Sequence, residues 1–131
     1  MTSEKVKRMT KKVVLVGHCG PDSSYLRIAV SRAAKDVHVV MADDTRELTQ
    51  ALSDGVDLLL LNRQLDYGFD DHEGVAVIRK LRPHYPNVKM MLVSNYPEAQ
   101  AAAVAEGALP GFGKRELNSP KFAELIREAL A

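Results

Sequence analysis

The chain has a single cysteine among its 131 residues, and this one thiol, Cys19, cannot form an internal disulfide. Such cysteine usage is typical of proteins that fold in a reducing compartment. No apolar run approaches the roughly 20 residues that a membrane-spanning helix needs. The first five residues, 1–5, lead into charge instead of the apolar stretch of a signal peptide. We therefore expect a cytoplasmic protein with no membrane partner.

The spaced motifs of metal and nucleotide sites are also missing. No CxxC or HxxxH pattern is present, and the four histidines are scattered along the chain. A structural zinc site needs four ligands at set spacings, so we expect His18 to be a polar loop residue and Cys19 to be partly buried. The spacing of Gly17 and Gly20 matches neither GxGxxG nor the P-loop. These absences predict no metal centre and no bound cofactor.

Positive and negative charges nearly balance, since the formal net charge of the chain is +1. The first 12 residues carry five basic and one acidic side chain, which leaves thirteen basic and sixteen acidic groups, a sum of −3, in the remainder. The remainder therefore has no basic face that would predict nucleic-acid binding. We interpret residues 1–11 as a basic, disordered arm that aids solubility, with contact to an acidic partner or to phosphates as the alternative.

Strand-like and helix-like segments alternate along residues 12–131, which we interpret as one domain. Its strands are mostly aliphatic, as in strands that are buried on both faces. The predicted strands are Lys12–Val16, Val37–Met41, Val56–Leu61, Val88–Val93 and Leu109–Gly113. Right-handed crossovers favour an α/β, flavodoxin-like three-layer sandwich, with a five-stranded parallel sheet in the order 2-1-3-4-5 and five helices.

Capping residues predict where the helices begin. We expect helix starts at Asp22 or Ser23, at Asp44, at Asp71, near Pro97 and at Ser119. The acidic loop over residues 66–73 could attract a cation, but a solvated loop with a capping Asp71 is the commoner arrangement.

Three segments near the strand ends resemble one family. Asp57–Asn62 is similar to the strand that bears a phosphoacceptor, and Val93-Ser94 to the strand whose hydroxyl meets the phosphoryl oxygen. Glu106–Ala108, followed by Lys114, is similar to the strand that delivers a lysine. The stretch from about residue 11 to residue 131 therefore resembles a response-regulator receiver domain of two-component signalling.

The resemblance implies five functional positions, of which this chain fills two in the usual way. Ser94 matches the hydroxyl and Lys114 the lysine, but Gly17 and His18 stand where an acidic pair would hold magnesium. Asn62 stands at the position of the phosphoacceptor aspartate. An amide is a poor nucleophile, and magnesium requires hard oxygen ligands. The departures imply an atypical pseudo-receiver with no catalytic residue, no enzymatic activity and no magnesium at the usual site.

Two points stay open at this level. Lys114 could donate to the Asn62 amide oxygen, which would fix one conformation, or its stem could pack on an apolar wall with its head in solvent. Gly111 stands where the family's aromatic switch residue belongs, and Phe112 would restore an aromatic after a one-residue shift. Arg115 replaces the family's usual proline.

The resemblance implies a signal-transduction domain that acts by protein–protein interaction and is not phosphorylated by the usual aspartyl route. The fourth helix, fifth strand and fifth helix would form the face that meets signalling proteins, and a homodimer is a possible arrangement. Candidate contact residues there are Tyr96, Gly111, Phe112 and Arg115. The alternative is a domain that senses a small molecule or metal ion in the vacated pocket at the strand carboxyl ends. An enzyme or flavin-binding protein on the same fold is disfavoured, because no nucleophile–base pair is evident.

Overall fold

The computed structural model describes residues 10–66 and 68–131, in which strands and helices alternate. The strands are β1 (Lys11–Val16), β2 (Val37–Ala42), β3 (Leu58–Asn62), β4 (Lys89–Val93) and β5 (Leu109–Phe112). The helices are α1 (Gly20–Ala33), α2 (Thr45–Asp54), α3 (Gly74–Leu81), α4 (Pro97–Ala105) and α5 (Pro120–Leu130), with a 3-10 helix at Lys114–Glu116. The predicted arm lies outside the described residues up to residue 9, and its last residue, Lys11, belongs to β1 instead.

The sheet has the order β2-β1-β3-β4-β5, and every neighbouring pair is parallel. The predicted flavodoxin-like topology is therefore confirmed. Because β1, β3 and β4 lie inside the sheet and helices cover both faces, their aliphatic side chains are almost fully buried. None of the helices in the described ranges is long and apolar enough to cross a membrane.

Alternate residues of the strands supply two separate cores, one on each face of the sheet. Val13, Leu15, Leu58 and Leu60 point towards α1 and α5, where they pack with apolar side chains such as Leu26. The intervening strand residues, among them Val14, Val16, Leu59 and Leu61, pack with side chains of α2, α3 and α4. Each fully buried side chain of this size stabilises the fold by about 1.5–3 kcal/mol.

Two helix starts agree with their predicted caps. The Asp44 carboxylate accepts from the Glu47 N–H at 2.7 Å, while Glu47 Oε1 accepts from the Asp43 N–H at 2.7 Å. Ser119 Oγ accepts from the Phe122 N–H at 3.1 Å, directly before α5. Both arrangements satisfy N–H groups that have no partner inside the helix.

The other two predicted caps are wrong. α1 begins earlier than expected, at Gly20, so Asp22 and Ser23 both lie inside the helix and neither is its cap. Glu73 is the residue before α3, and its side chain makes no capping bond. Asp71 instead forms an ion pair of 3.0 Å with Lys80 of α3.

Candidate functional site

A pocket of about 220 Å³ opens at the carboxyl ends of β3 and β4, beside the residues that follow β5. Its lining residues are Asn62, Arg63, Gln64, Val93, Ser94, Asn95, Tyr96 and Lys114. Parallel strands bring their carboxyl ends to one edge of the sheet, which explains this gathering. The structure thus places Asn62, Ser94, Tyr96 and Lys114 in one site, as expected from their positions at the ends of the predicted strands.

The Asn62 amide bonds to nearby backbone groups through both its nitrogen and its oxygen. Its Nδ2 donates to the Gly17 carbonyl and to the Gln64 carbonyl, both at 3.1 Å, and its Oδ1 accepts from the Arg63 N–H at 3.1 Å. The side chain therefore connects the end of β1 to the loop after β3. An ionised aspartate has no proton to donate to either carbonyl, so these two bonds require the amide.

Gly17 has a backbone conformation that favours glycine. Its φ is +72°, in the left-handed region that side chains disfavour. A Cβ atom there would collide with the Leu65 side chain and lie 3.3 Å from the Phe69 ring. An aspartate, which the receiver resemblance would call for at this position, would therefore strain the backbone and require the Leu65 side chain to move.

His18 lies in the loop between β1 and α1, as expected, but it is buried, with only 6% of its surface exposed. The chain turns inward after Gly17, and His18 Nε2 lies 2.9 Å from the Leu60 carbonyl oxygen, to which it donates. Within the described ranges, Nδ1 has no hydrogen-bond partner. Burial lowers the pKa of His18 to about 4, so the ring is neutral at pH 7.

Lys114 forms an ion pair that neither of the open arrangements anticipated. Its Nζ lies 2.5 Å from Asp22 Oδ2, in the first turn of α1, and about a third of each side chain stays exposed. The Lys114 hydrogen bond holds the pKa of Asp22 below its ordinary value. The hydrogen bond between Lys114 and the Asn62 amide, one of the two arrangements left open by the sequence, is not formed. The sequence indicated Asp22 as a helix cap and gave no sign of this ion pair, although Asp22 follows the carboxyl end of β1 and so lies at the same edge of the sheet as Lys114.

Cys19 is exposed, which corrects the expectation that it is partly buried. It precedes Gly20 as the residue before α1, so its side chain lies at the surface of the turn. Among the residues that the structure describes, no group of three or more His, Cys, Asp or Glu side chains is arranged to hold a metal ion.

Tyr96 connects the pocket to the start of α4. The Arg63 guanidinium lies over the Tyr96 ring, 4.7 Å from its centroid, at the distance of a cation–π contact. Ser94 Oγ accepts from the Tyr96 N–H at 3.1 Å. The residue directly after Tyr96 is the first of α4, so both contacts fix how that helix leaves the pocket.

Sequence reasoning missed Gln100, whose side chain completes the sheet between β4 and β5. The pairs Met91–Leu109 and Val93–Phe112 leave one extra residue in β5, which interrupts the backbone ladder. Gln100 Oε1 accepts from the Gly111 N–H at 3.0 Å, and its Nε2 donates to the Leu92 carbonyl at 2.8 Å. Nε2 also lies 3.1 Å from the Ser94 carbonyl. No pattern of period two or 3.6 marks such a residue.

The Gln100 bridge explains why residue 111 is a glycine. A Cβ atom at Gly111 would collide with the Leu92 carbonyl oxygen and lie 2.9 Å from Gln100 Oε1. No aromatic side chain fits there. The following residue, Phe112, is 1% exposed, and its ring packs edge-on against Phe122 with centroids 4.6 Å apart. The prediction that Phe112 belongs to an exposed contact face is therefore wrong.

The remaining candidates for the contact face lie at or near the surface. Tyr96 is 52% exposed, Arg115 is exposed, and Gly111 is half-buried. A groove of about 620 Å³ runs between α4 and β5, lined by Tyr96, Gly111 and the exposed side chain of Val104.

No protein-family model and no curated protein matches the chain, but solved structures do. The signal receiver domain of an HD domain-containing protein from Pseudomonas fluorescens Pf-5 is 20% identical with a TM-score of 0.76, covering 93% of this chain and 88% of that chain. The beryllofluoride-activated NtrC4 receiver domain dimer is 17% identical with a TM-score of 0.76. The match covers 92% of this chain and 97% of that chain.

The RcsB response regulator from Salmonella typhimurium is 15% identical with a TM-score of 0.74, and the match covers 92% of this chain. It covers 61% of that chain, so the present chain spans less than two thirds of that protein. These likenesses show that the chain has the fold of response-regulator receiver domains.

Proposed function

We propose that the chain is a signal-transduction domain that acts through protein–protein interaction and does not accept a phosphoryl group by the aspartyl route. The observation that carries this proposal is the Asn62 amide at the end of β3, with both of its ends bonded to backbone. An amide has no anionic oxygen with which to attack phosphorus. The proposal therefore assigns the domain no catalytic residue and no enzymatic activity.

The charges around the site support the same proposal. Within the described part of the chain, no carboxylate lines the pocket, while hard cations such as magnesium bind through carboxylate and carbonyl oxygens. Lys114, whose receiver counterpart would meet the phosphoryl group, is paired with Asp22 instead.

We further propose that the partner is a signalling protein and that it binds the face formed by α4, β5 and α5. The groove between α4 and β5 and the exposed side chains of Tyr96 and Val104 support this choice. The Gln100 bridge holds α4 to both strands, so the face is presented in one arrangement. A second copy of the chain is an alternative occupant, since the similar NtrC4 receiver domain is described as a dimer. We place the protein in the cytoplasm and expect no nucleic-acid partner.

A pull-down from the native cell tests both parts of the proposal. Three baits are compared: the unmodified chain, Tyr96→Ser, and Tyr25→Ser as a matched control on α1, where the residue is 66% exposed. We expect Tyr96→Ser to lose a protein that the other two baits retain, because an exposed aromatic side chain at the centre of an interface often dominates its binding energy.

The same pull-down is repeated with beryllofluoride and magnesium, which mimic a phosphoryl group on aspartate. We expect the amount of captured protein to stay the same, because Asn62 offers no carboxylate. A protein that binds only with beryllofluoride would refute the phosphorylation-independent mode. A protein that Tyr25→Ser loses and Tyr96→Ser retains would refute the assigned face.

A further inference from the structure

β2 forms an outer edge of the sheet and pairs only with β1. The Asp36 carbonyl accepts from the Lys11 N–H at 2.9 Å, and the Ala42 carbonyl accepts from the Gly17 N–H at 3.0 Å. The even-numbered residues of β2 therefore direct their backbone groups towards β1, because the N–H and C=O of one strand residue point to the same side. The odd-numbered residues, whose backbone groups point away from the sheet, are Val37, Val39 and Met41.

This edge has few of the features that keep a sheet from pairing with another chain. Residues 37–42 include no proline, no lysine and no acidic residue, and their register with β1 is regular throughout. Met41 is 45% exposed. Among the described residues, its outward N–H and C=O have no hydrogen-bond partner. The strand therefore offers backbone groups that a further strand can pair with.

A single side chain of α1 covers the centre of the edge. Arg27 Nη1 donates to the outward Val39 carbonyl at 3.0 Å, and Val39 is only 4% exposed. Arg27 itself is exposed, so its guanidinium can turn into solvent. Arg27 therefore limits access to the edge without removing its capacity to pair.

The charges at the two ends of β2 are complementary to those of a second copy of the chain. Asp43 and Asp44 follow the carboxyl end, whereas Lys11 and Lys35 lie at the amino end against one acidic residue, Asp36. Desolvation, followed by the negative charges of nearby carboxylates, raises the pKa of Asp43. An antiparallel pair places the carboxyl end of one β2 beside the amino end of the other, so opposite charges meet at both ends.

We propose that the β2 edge is a self-association surface, at which two copies of the chain pair their β2 strands antiparallel about a two-fold axis at Val39 while Arg27 moves aside. In this register Met41 lies opposite the partner's Val37, and Asp43 approaches the partner's Lys35. Outward-facing residues that lie opposite each other exchange two backbone hydrogen bonds. They also share one face of the sheet, so the exposed Met41 side chain gains an apolar neighbour.

This dimer goes beyond the proposed interaction with a partner protein and does not depend on it. β2 and β5 are opposite edges of the sheet, so pairing through β2 leaves the face formed by α4, β5 and α5 open in both copies. A dimer would then present two such faces, and a partner with two binding sites would gain affinity by engaging both.

Sedimentation equilibrium combined with amide hydrogen exchange tests the proposal. The chains compared are the unmodified chain, Arg27→Ala, Arg32→Ala, Lys35→Glu, and Lys35→Glu together with Asp43→Lys. Arg32 is the matched control for Arg27, because it is an exposed arginine of the same helix that lines the groove beside Lys114. Thermal unfolding of each variant verifies that it is folded.

We expect the unmodified chain to form a weak dimer with Kd on the order of 0.1–1 mM, since one strand edge buries less area than a standard interface. Arg27→Ala should lower Kd by about tenfold because it uncovers the centre of the edge, whereas Arg32→Ala should leave Kd unchanged. Lys35→Glu should raise Kd by about fivefold or more, since it places like charges opposite each other. Adding Asp43→Lys should restore the affinity by exchanging the two charges.

Hydrogen exchange locates the contact. The Met41 N–H should exchange more slowly at high than at low protein concentration, because it is bonded only in the dimer. If the unmodified chain and Arg27→Ala both remain monomeric up to about 1 mM, the proposal is overturned. A dimer whose Kd ignores Lys35→Glu would overturn it as well, and so would protection confined to α4, β5 and α5, which would assign self-association to that face.

Discussion

Replacing Gln100 by leucine should destabilise the domain far more than the same change elsewhere on its surface. The Gln100 side chain joins the Gly111 N–H to the Leu92 carbonyl, at the place where the extra residue in β5 separates them. Leucine has a similar volume and a similar helix propensity, so the substitution removes the hydrogen bonds with little other change. Both backbone groups would then lack their partner in a half-buried site.

The expected loss follows from the cost of leaving such groups without partners. An unsatisfied buried donor or acceptor costs about 1–3 kcal/mol, and partial access of water to the groove puts each group near the lower limit. Two groups together should lower the free energy of unfolding by about 2–3 kcal/mol. For a chain of this size, 1 kcal/mol corresponds to about 3–5 °C, so Tm should fall by roughly 6–15 °C.

Urea unfolding followed by circular dichroism measures this loss, with thermal scans as a second readout. Gln50→Leu on α2 is the control, because Gln50 is exposed and makes a single side-chain hydrogen bond, to Asp54 at 3.2 Å. It should change stability by less than about 0.5 kcal/mol. If Gln100→Leu and Gln50→Leu unfold at the same urea concentration, the Gln100 bridge contributes nothing and the reasoning is refuted.

Two further predictions concern the end of β1. Because the folded pKa of His18, about 4, lies below its ordinary 6.5, stability should fall as pH drops from about 6.5 towards 4, by up to about 3 kcal/mol. Urea midpoints against pH should show this slope in the unmodified chain and in the exposed-site control His38→Gln, but not in His18→Gln; an unchanged slope in His18→Gln would assign it to another group. Gly17→Ala should cost at least about 1–2 kcal/mol because of its left-handed φ of +72° and the collision with Leu65. Gly20→Ala, whose new Cβ meets no atom within 4 Å, should cost less, and equal urea midpoints for the two would contradict the argument.

The topology could be predicted because the strands differ so clearly from the helices in sequence. The aliphatic runs of β1, β3 and β4 have no polar face, which is characteristic of strands covered on both sides. Helix-forming segments separate them, and the handedness of the crossovers then leaves few arrangements. Helix ends were predictable where the cap is local, as at Asp44 and Ser119, because the interacting groups lie within three residues.

The sequence predicted which residues lie at the candidate site but not which side chains bond to one another there. The strand ends brought Asn62, Ser94 and Lys114 to one pocket, since any parallel sheet gathers those positions. The partner of Lys114 is Asp22, 92 residues away in sequence, and only the packing of α1 beside the sheet brings the two together. The burial of His18 depends in the same way on the inward turn after Gly17, which no periodicity records.

The irregular β5 strand has a consequence for how copies of the domain can associate. β5 forms one outer edge of the sheet, and Pro110 within it has no N–H to offer an incoming strand. The extra residue also twists this edge away from a regular ladder. Growth of the sheet by strand addition is therefore disfavoured on the β5 side, and a self-association surface there is better built from side chains than from backbone.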